Sequence, residues 1–363
     1  MEINNYGDIT GYLSAVNSAA TLNNYRIMNL RSFADSDGDG VRDTKQVAIL
    51  QFGEGSNEVN NLAGAQILLS NVQHADAVDT SGMYSAQGTQ SITSAGINQA
   101  QMLNVNTFNH AGTLNLAVNQ LAGDVLAITA NSDLSGQSIH EGGTVTSGGG
   151  SFVSNGGSLL VDTVLNQGGS ASQSDVLVVD NALLGSGATR IRVNRVGGNG
   201  AITSQDGILL VDVLGEADHN AFTLAGGPLK AGIYEYTLAQ GSLIDPQNQS
   251  FYLRTNAQQL NPDIGSYLAN QAMATGLFMH SLHDRLGEPQ YLERFKGDER
   301  GDSGMWVRAV ASNTKSDAAG RTLSVDSNSR VVHLGGDVTQ WDTEDGDRYH
   351  LGLMGAWGRA DSV

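Results

Sequence analysis

Four aspartates give the sequence its sharpest candidate for chemistry. In Asp35-Ser36-Asp37-Gly38-Asp39-Gly40-Val41-Arg42-Asp43, counted from Asp35, carboxylates fall at positions 1, 3, 5 and 9 and glycine at 6. That is calcium-loop spacing, in which hard oxygens surround Ca²⁺ and glycine makes the sharp turn. Position 12 is Gln46, so the closing bidentate carboxylate is missing. The competing reading is an acidic solvated turn. Asp35, Asp37, Asp39 and Asp43 therefore stand as a candidate Ca²⁺ site of weak affinity. Other strings carry less. Gly301-Asp302-Ser303-Gly304 repeats the string around a serine-protease nucleophile, but no His/Asp context precedes it, and triads are defined by geometry. Arg300-Gly301-Asp302 is an integrin-type tripeptide of a kind that recurs by chance. His280 and His283 share a predicted helix face with no third metal ligand in view, while His74, His110, His140 and His219 are scattered. No phosphate loop or paired-carboxylate signature stands out, so no catalytic or cofactor-binding residue is assigned.

Composition narrows the classes further. The 363 residues carry 19 Lys+Arg against 37 Asp+Glu, a net charge of −18. Nucleic-acid binding needs a basic stripe to neutralise phosphates, so no nucleic acid is expected as a partner. Absence of cysteine excludes a disulfide framework and thiolate metal sites. Length alone allows two or three domains at ~150 residues each. Met1-Glu2-Ile3-Asn4-Asn5 lacks the basic and apolar regions of a signal peptide. No apolar run is long enough for a transmembrane helix. Gly is high at 46, Pro low at 4 and aromatics only 6%. Such a chain fits thin, repetitive β structure, in which each layer needs only small and β-branched side chains.

The elements follow from the apolar patterning. The 144 residues from Gln46 to Thr189 contain no Lys or Arg. Short aliphatic runs recur in them between glycine-rich turns: 47–50, 66–69, 112–118, 123–128, 157–161 and 175–179. Each is of strand length, and Gly supplies the turns at no steric cost. Short spacing, few hairpin signals and small residues favour a parallel β-helix over a sandwich or barrel, with each rung resting on its neighbours. The repeat is too loose to count rungs. From about 170 to 255, strands lengthen and Phe222, Tyr234, Tyr236, Phe251 and Tyr252 enter. More apolar area per residue, at ~25 cal/mol/Å², predicts a stable C-terminal cap. Asn261-Pro262-Asp263 is a helix start and Gly287 with Pro289 a stop.

These residues carry a resemblance. Ser174-Asp175-Val176-Leu177-Val178-Val179, Gly207-Ile208-Leu209-Leu210-Val211-Asp212-Val213, Ala221-Phe222-Thr223-Leu224 and Gly232-Ile233-Tyr234-Glu235-Tyr236-Thr237-Leu238 resemble the pertactin-like autochaperone region. That region ends the passenger of bacterial autotransporters, the type V secretion proteins. Phe251-Tyr252-Leu253-Arg254 resembles its closing strand, and Asn261 to Gln290 is similar to the family's linker helix, which lies inside the barrel pore. Trp306-Val307-Arg308, 330–337 and 349–358 resemble the first barrel strands. In the last, Tyr349, Leu351, Leu353 and Trp357 share one parity and His350, Gly352, Met354 and Gly358 the other, the apolar-out pattern of an outer-membrane strand.

The resemblance covers roughly 170–363, and it implies an all-β chain of four parts. These are a right-handed parallel β-helix passenger stalk (1–170), an autochaperone cap (171–255), a linker (256–303) with a helix at about 262–287, and the first strands of an antiparallel outer-membrane barrel (304–363). Barrels need at least ~8 strands to close, so the expectation is either a fragment or a truncated product. The function implied is a non-enzymatic, adhesin-like surface passenger whose cap promotes folding and export. Its partners would be outer-membrane lipid, the barrel assembly machinery and a host-surface or bacterial-surface receptor. Two alternatives stay open: a hydrolase or lyase passenger with its catalytic part upstream, and a non-functional remnant. The basic-free span weighs against lyase chemistry, which usually needs a cation to neutralise a uronate.

Overall fold

The computed structural model describes residues 1–11, 13–30, 47–69, 97–134, 145–261, 263–281, 305–318, 323–344 and 348–362. It divides into two compact units, Met1–Ala257 and Gln258–Val363.

The first unit winds as coils of three short strands. Coil one is β1 (Glu2–Asn5), β2 (Asp8–Gly11) and β3 (Leu13–Ala15). Coil two is β4 (Thr21–Asn24), β5 (Ile27–Leu30) and β6 (Val47–Phe52), and coil three is β7 (Glu58–Asn61), β8 (Gln66–Leu69) and β9 (Gln99–Leu103). Coil four is β10 (Thr107–His110), β11 (Thr113–Asn115) and β12 (Val125–Ile128), and coil five is β13 (Ser151–Asn155), β14 (Ser158–Val164) and β15 (Val176–Val179). Coil six is β16 (Asn181–Gly187), β17 (Thr189–Gly197) and β18 (Ile208–Val213). Strands three apart in sequence pair in parallel, building three sheets that run along the stack. This is the parallel β-helix expected from the patterning.

Period two makes the coils stack. In β4 and β7 every second residue is buried. Register then superposes Ile3, Leu22, Val59, Phe108, Phe152 and Ala182 inside the first sheet. The second sheet superposes Met28, Ile67, Leu114, Leu159 and Ile191 in the same way. A coil cannot bury these side chains alone. It does so only against the next coil. Larger rings than the composition suggests fill the C-terminal half. Phe108 stacks on Phe152 at 5.4 Å, Phe152 on Phe222 at 5.5 Å, and Phe222 meets Phe251 edge-on at 5.0 Å.

Asparagine doublets mark the coils. Asn5, Asn24 and Asn61 form a buried amide ladder with bonds of 2.8 and 3.0 Å. Asn4, Asn23, Asn60 and Asn109 form a second ladder on the outer face at 2.8 to 2.9 Å. Adjacent strand residues point to opposite faces, so each doublet serves both. The rungs of the outer ladder lie 19, 37 and 49 residues apart in sequence. Unequal lengths of chain between paired strands hid the repeat. One excursion returns Leu134 and Val145 onto the outside of the third sheet, against Leu103, Val125, Ala127 and Val178.

The stack ends by changing pairing. β19 (Phe222–Leu224) adds to the second sheet in parallel. β20 (Leu229–Ala231), β21 (Tyr234–Gln240) and β22 (Phe251–Leu260) continue the third sheet as a meander, with β22 antiparallel on β18.

In the second unit, α1 (Asp263–Gly276) precedes β23 (Met305–Ala318), β24 (Leu323–Asp342) and β25 (Arg348–Ser362), which pair antiparallel. Asn261 accepts the N–H of Asp263 at 3.1 Å, as a capping side chain does. The helix ends at Gly276, short of the stop expected at Gly287. Leu277 and Phe278 already form a turn closed by the Met279 N–H on the Gly276 carbonyl at 3.2 Å. A glycine gives up most conformational entropy in a helix, so the chain unwinds there.

Candidate functional site

The polar chemistry of the first unit gathers on the ends of the third sheet's strands. β12 is preceded by Asp124 and β15 by Asp175, and β15 is followed by Asp180. All three are fully buried or nearly so. An isolated carboxylate in such a place is costly. Each is instead surrounded by donors, many from backbone N–H groups of turns that have no ladder partner. Asp124 accepts the Asn98 N–H at 2.7 Å and the Asn98 amide at 3.0 Å. Asn119 adds its own amide at 3.0 Å. Asp175 accepts the N–H groups of Gly123 and Asp124 at 3.0 Å on one oxygen and that of Asp162 at 2.6 Å on the other. Asp180 accepts from Thr129 Oγ1 at 2.9 Å and Gly148 N–H at 2.7 Å on Oδ1. Its Oδ2 accepts the N–H groups of Ala130 at 2.7 Å and Gly150 at 2.9 Å.

Burial dominates the electrostatics. It pushes Asp175 up to about 7, with the neighbouring Asp124 charge adding to the rise and the backbone donors opposing it. Asp124 is pushed up to about 6, again chiefly by desolvation. Asp162 is raised for the same reason, opposed by the Asn194 amide. Asp175 and Asp180 spend their oxygens on N–H groups and a hydroxyl of the solenoid itself, and Asp124 on the Asn98 N–H and on side-chain amides.

The cap is tied down by larger side chains. Tyr236 is fully buried. Its hydroxyl accepts the Ala201 N–H at 2.8 Å and donates to the Asn166 carbonyl at 2.8 Å, joining β21 to loops of coils six and five. Arg254 donates to the Asp206 carbonyl at 2.7 Å, while Asp206 accepts from Ser242 Oγ at 2.8 Å. A shallow groove of about 270 Å³, lined by Phe222, Leu224, Pro228 and Leu238 among others, opens beside β19.

The second unit has two unlike faces. Met305, Val307, Val332, Leu334, Leu353 and Trp357 are exposed on one. On the other, Val331 and His333 are buried. Phe278 lies 6.2 Å from the His333 ring, and His280 lies 5.1 Å from His333 and 6.0 Å from Trp306. The end of α1 and its turn thus lie on one face of the sheet. Gly335 makes room for Trp306, since a Cβ there would stand 2.5 Å from the indole.

Asp35, Asp37, Asp39 and Asp43 lie outside the described residues, as do Arg300 to Gly304, His74, His140 and His283. His280 packs against Trp306 and His333, and His219 bonds Gln240 at 3.1 Å. Among the described residues no group of three His, Cys, Asp or Glu is placed to hold a metal. His110 is not a scattered surface group. It continues the buried asparagine ladder, with Nδ1 3.3 Å from the Asn61 amide and Nε2 3.1 Å from the Ser158 carbonyl. The carboxylate network escaped the sequence reading. Its signal was the repeated Asp-Val-Leu at 124–126 and 175–177.

Residues 117–238 match the family model Autochaperone Domain Type 1. That span starts upstream of residue 171 and takes in β12 through most of β21. The chain carries the autochaperone region of an autotransporter passenger. It is 34% identical over 249 residues to the uncharacterized protein YdeU of Escherichia coli strain K12, covering 61% of this chain and 50% of that one. It is 28% identical over 224 residues to the autotransporter adhesin AIDA-I of Escherichia coli, covering 58% and 16%. The probable autotransporter YfaL of strain K12 is 29% identical over 296 residues, covering 70% and 20%. The chain therefore spans half the length of YdeU and far less of the other two.

Proposed function

We propose that this chain belongs to a non-enzymatic, adhesin-like passenger at the cell surface, whose cap (171–255) starts folding as the passenger emerges from the outer membrane. One observation carries the reading: the solenoid is sealed at its C-terminal end, by an antiparallel meander that begins inside the matched region and closes beyond it with β22, anchored on Tyr236 and the phenylalanine spine. A passenger threading C-terminal end first would fold this cap before anything else. Each coil then gains its buried area only by stacking on the coil already formed, so folding favours forward movement. Absence of cysteine suits a chain that must cross unfolded.

The remaining partners follow from the second unit. Its exposed apolar face, with Leu353 and Trp357, suits outer-membrane lipid, and strands 304–363 would be inserted by the barrel assembly machinery. A host-surface or bacterial-surface receptor would bind the stalk. The non-enzymatic reading is supported by Asp124, Asp175 and Asp180, which serve the solenoid's own turns. The test is deletion of 175–254 from the whole secreted product. Loss of protease-resistant passenger on the surface is expected, and normal display of the deleted protein overturns the reading.

A further inference from the structure

We propose that Asp175 and Asp180 are the positioning residues through which a folded coil five dictates the turns of coil four upstream. The inference rests on the reading above that folding runs from the C-terminal end, and it names the side chains that transmit it.

The argument is one of direction. β15 is held from below: Leu177 pairs with Val211 and Val179 with Val213 of β18. Gly215 donates its N–H to the Asp180 carbonyl at 2.7 Å, and Leu209 donates its N–H to Ser172 Oγ at 3.2 Å. Coil six thus holds the backbone at the C-terminal flank of β15 and the Ser172 side chain ahead of its N-terminal flank, where the Asp175 N–H also donates to the Asp162 carbonyl of the same coil as β15 at 2.9 Å. The side chains of Asp175 and Asp180 reach the other way. Asp175 takes two N–H groups from the turn at Gly123 and Asp124 that enters β12. Asp180 takes Ala130, where the chain leaves the stack, and Gly148 and Gly150, where it returns. One carboxylate therefore gathers both ends of the excursion between β12 and β13.

Those donors belong to glycine-rich turns that are expensive to order. Once inside the stack their N–H groups must find acceptors. Two carboxylates already placed by the coil below supply the acceptors in fixed positions, so ordering the turn is met by bonds as it forms. Register carries the pattern back one coil, since Asp124 sits above Asp175 and accepts from Asn98 of coil three. It stops in the other direction. Extending the β15–β18 register places Leu209 beneath Asp175 and Leu214 beneath Asp180. Coil six, which adjoins the antiparallel meander, carries no carboxylate at these positions, and there the β22 strand covers β18 instead.

The test follows refolding of the full chain from urea into detergent micelles, with pulsed hydrogen exchange read by mass spectrometry. In the native sequence, residues 176–255 should gain protection before 97–134. The reverse order would sink the C-to-N reading itself. In Asp180→Ala and Asp175→Ala, 176–255 should gain protection at the native rate, while 97–134 should slow at least tenfold. A merely structural role would leave that folding rate alone and accelerate only unfolding. Asp180→Asn, which keeps one acceptor oxygen, should fall between, and it preserves the measurement if the alanine variant never protects 97–134. With the native order C to N, an unchanged upstream rate overturns the proposal. Equal slowing of both regions does so as well.

Discussion

His110 shows how much one residue's meaning depends on its neighbours. In sequence it is a lone histidine; in the fold it occupies the rung after Asn61 and touches Phe108 and Phe152. Burial lowers it to about 4, only partly offset by the Ser158 carbonyl. A histidine whose folded pKa lies below its unfolded value stabilises the fold above pH ~6.5, and that stability drains away as pH falls towards the folded value. Replacing it by the residue of the preceding rungs, His110→Asn, should remove an acid-side loss of up to about 3 kcal/mol between pH 6.5 and 4. Urea midpoints across that range check it, and an unchanged pH slope counts against the ladder role. Gly157 belongs to the same rung. A Cβ there would stand 2.5 Å from the imidazole, so Gly157→Ala should destabilise by about 1–3 kcal/mol, and His110→Ala should relieve part of that loss in a double-mutant cycle. Tyr236→Phe keeps the ring but strands the Ala201 N–H and Asn166 carbonyl. A loss of about 1–3 kcal/mol is expected in the same urea assay. The asparagine doublets were present in the sequence, but amide ladders are defined by register between strands, which adjacent letters do not state.

At the scale of elements, the strands were the most legible feature. Turn glycines and period-two runs mark β6, β8, β11, β12, β14, β15 and β18 without help, because local backbone preference and burial agree there. The phenylalanine spine was less visible. Phe108, Phe152, Phe222 and Phe251 come from β10, β13, β19 and β22, so their three contacts depend on strands drawn from three different sheets. Phe222→Ala should cost about 3–5 kcal/mol by opening a cavity between Phe152 and Phe251. The cap should then lose proteolytic protection at lower urea than in the native chain, and identical protection would show that the spine is ornamental. The sequence leads one to expect a helix to about 287, but α1 ends at Gly276. The Gly287–Pro289 stop is real as a local signal, but Gly276 comes first, and the turn after it lets Leu277 pack near Gly358. A sequence window weighs stop signals equally; packing chooses among them.

Across the whole molecule, the buried acids and the buried histidine pull stability in opposite directions with pH. Asp175 and Asp124 bind protons more tightly folded than unfolded, so the fold gains as pH drops through about 7 and 6 respectively. With His110 replaced by Asn, the chain should be more stable at pH 5.5 than at pH 8, by about 2 kcal/mol. Urea unfolding at the two pH values decides it, and greater stability at pH 8 would show that the carboxylates are not desolvated in solution. The class of fold was set by the sequence alone. Small residues, dense glycine turns and closely spaced strand-length apolar runs favoured a stacked parallel solenoid over a sandwich or barrel, since those are short-range preferences that every window repeats. The change at about residue 170 to larger rings led to the expectation of a cap, but the ring spine already starts at Phe108, which only the stacking of coils reveals. Which acids lie buried, which carbonyls and N–H groups they hold, and which rings touch were decided only in three dimensions. Those contacts join residues tens of positions apart, across sequence intervals of unequal length. Only the register of one coil on the next fixes them.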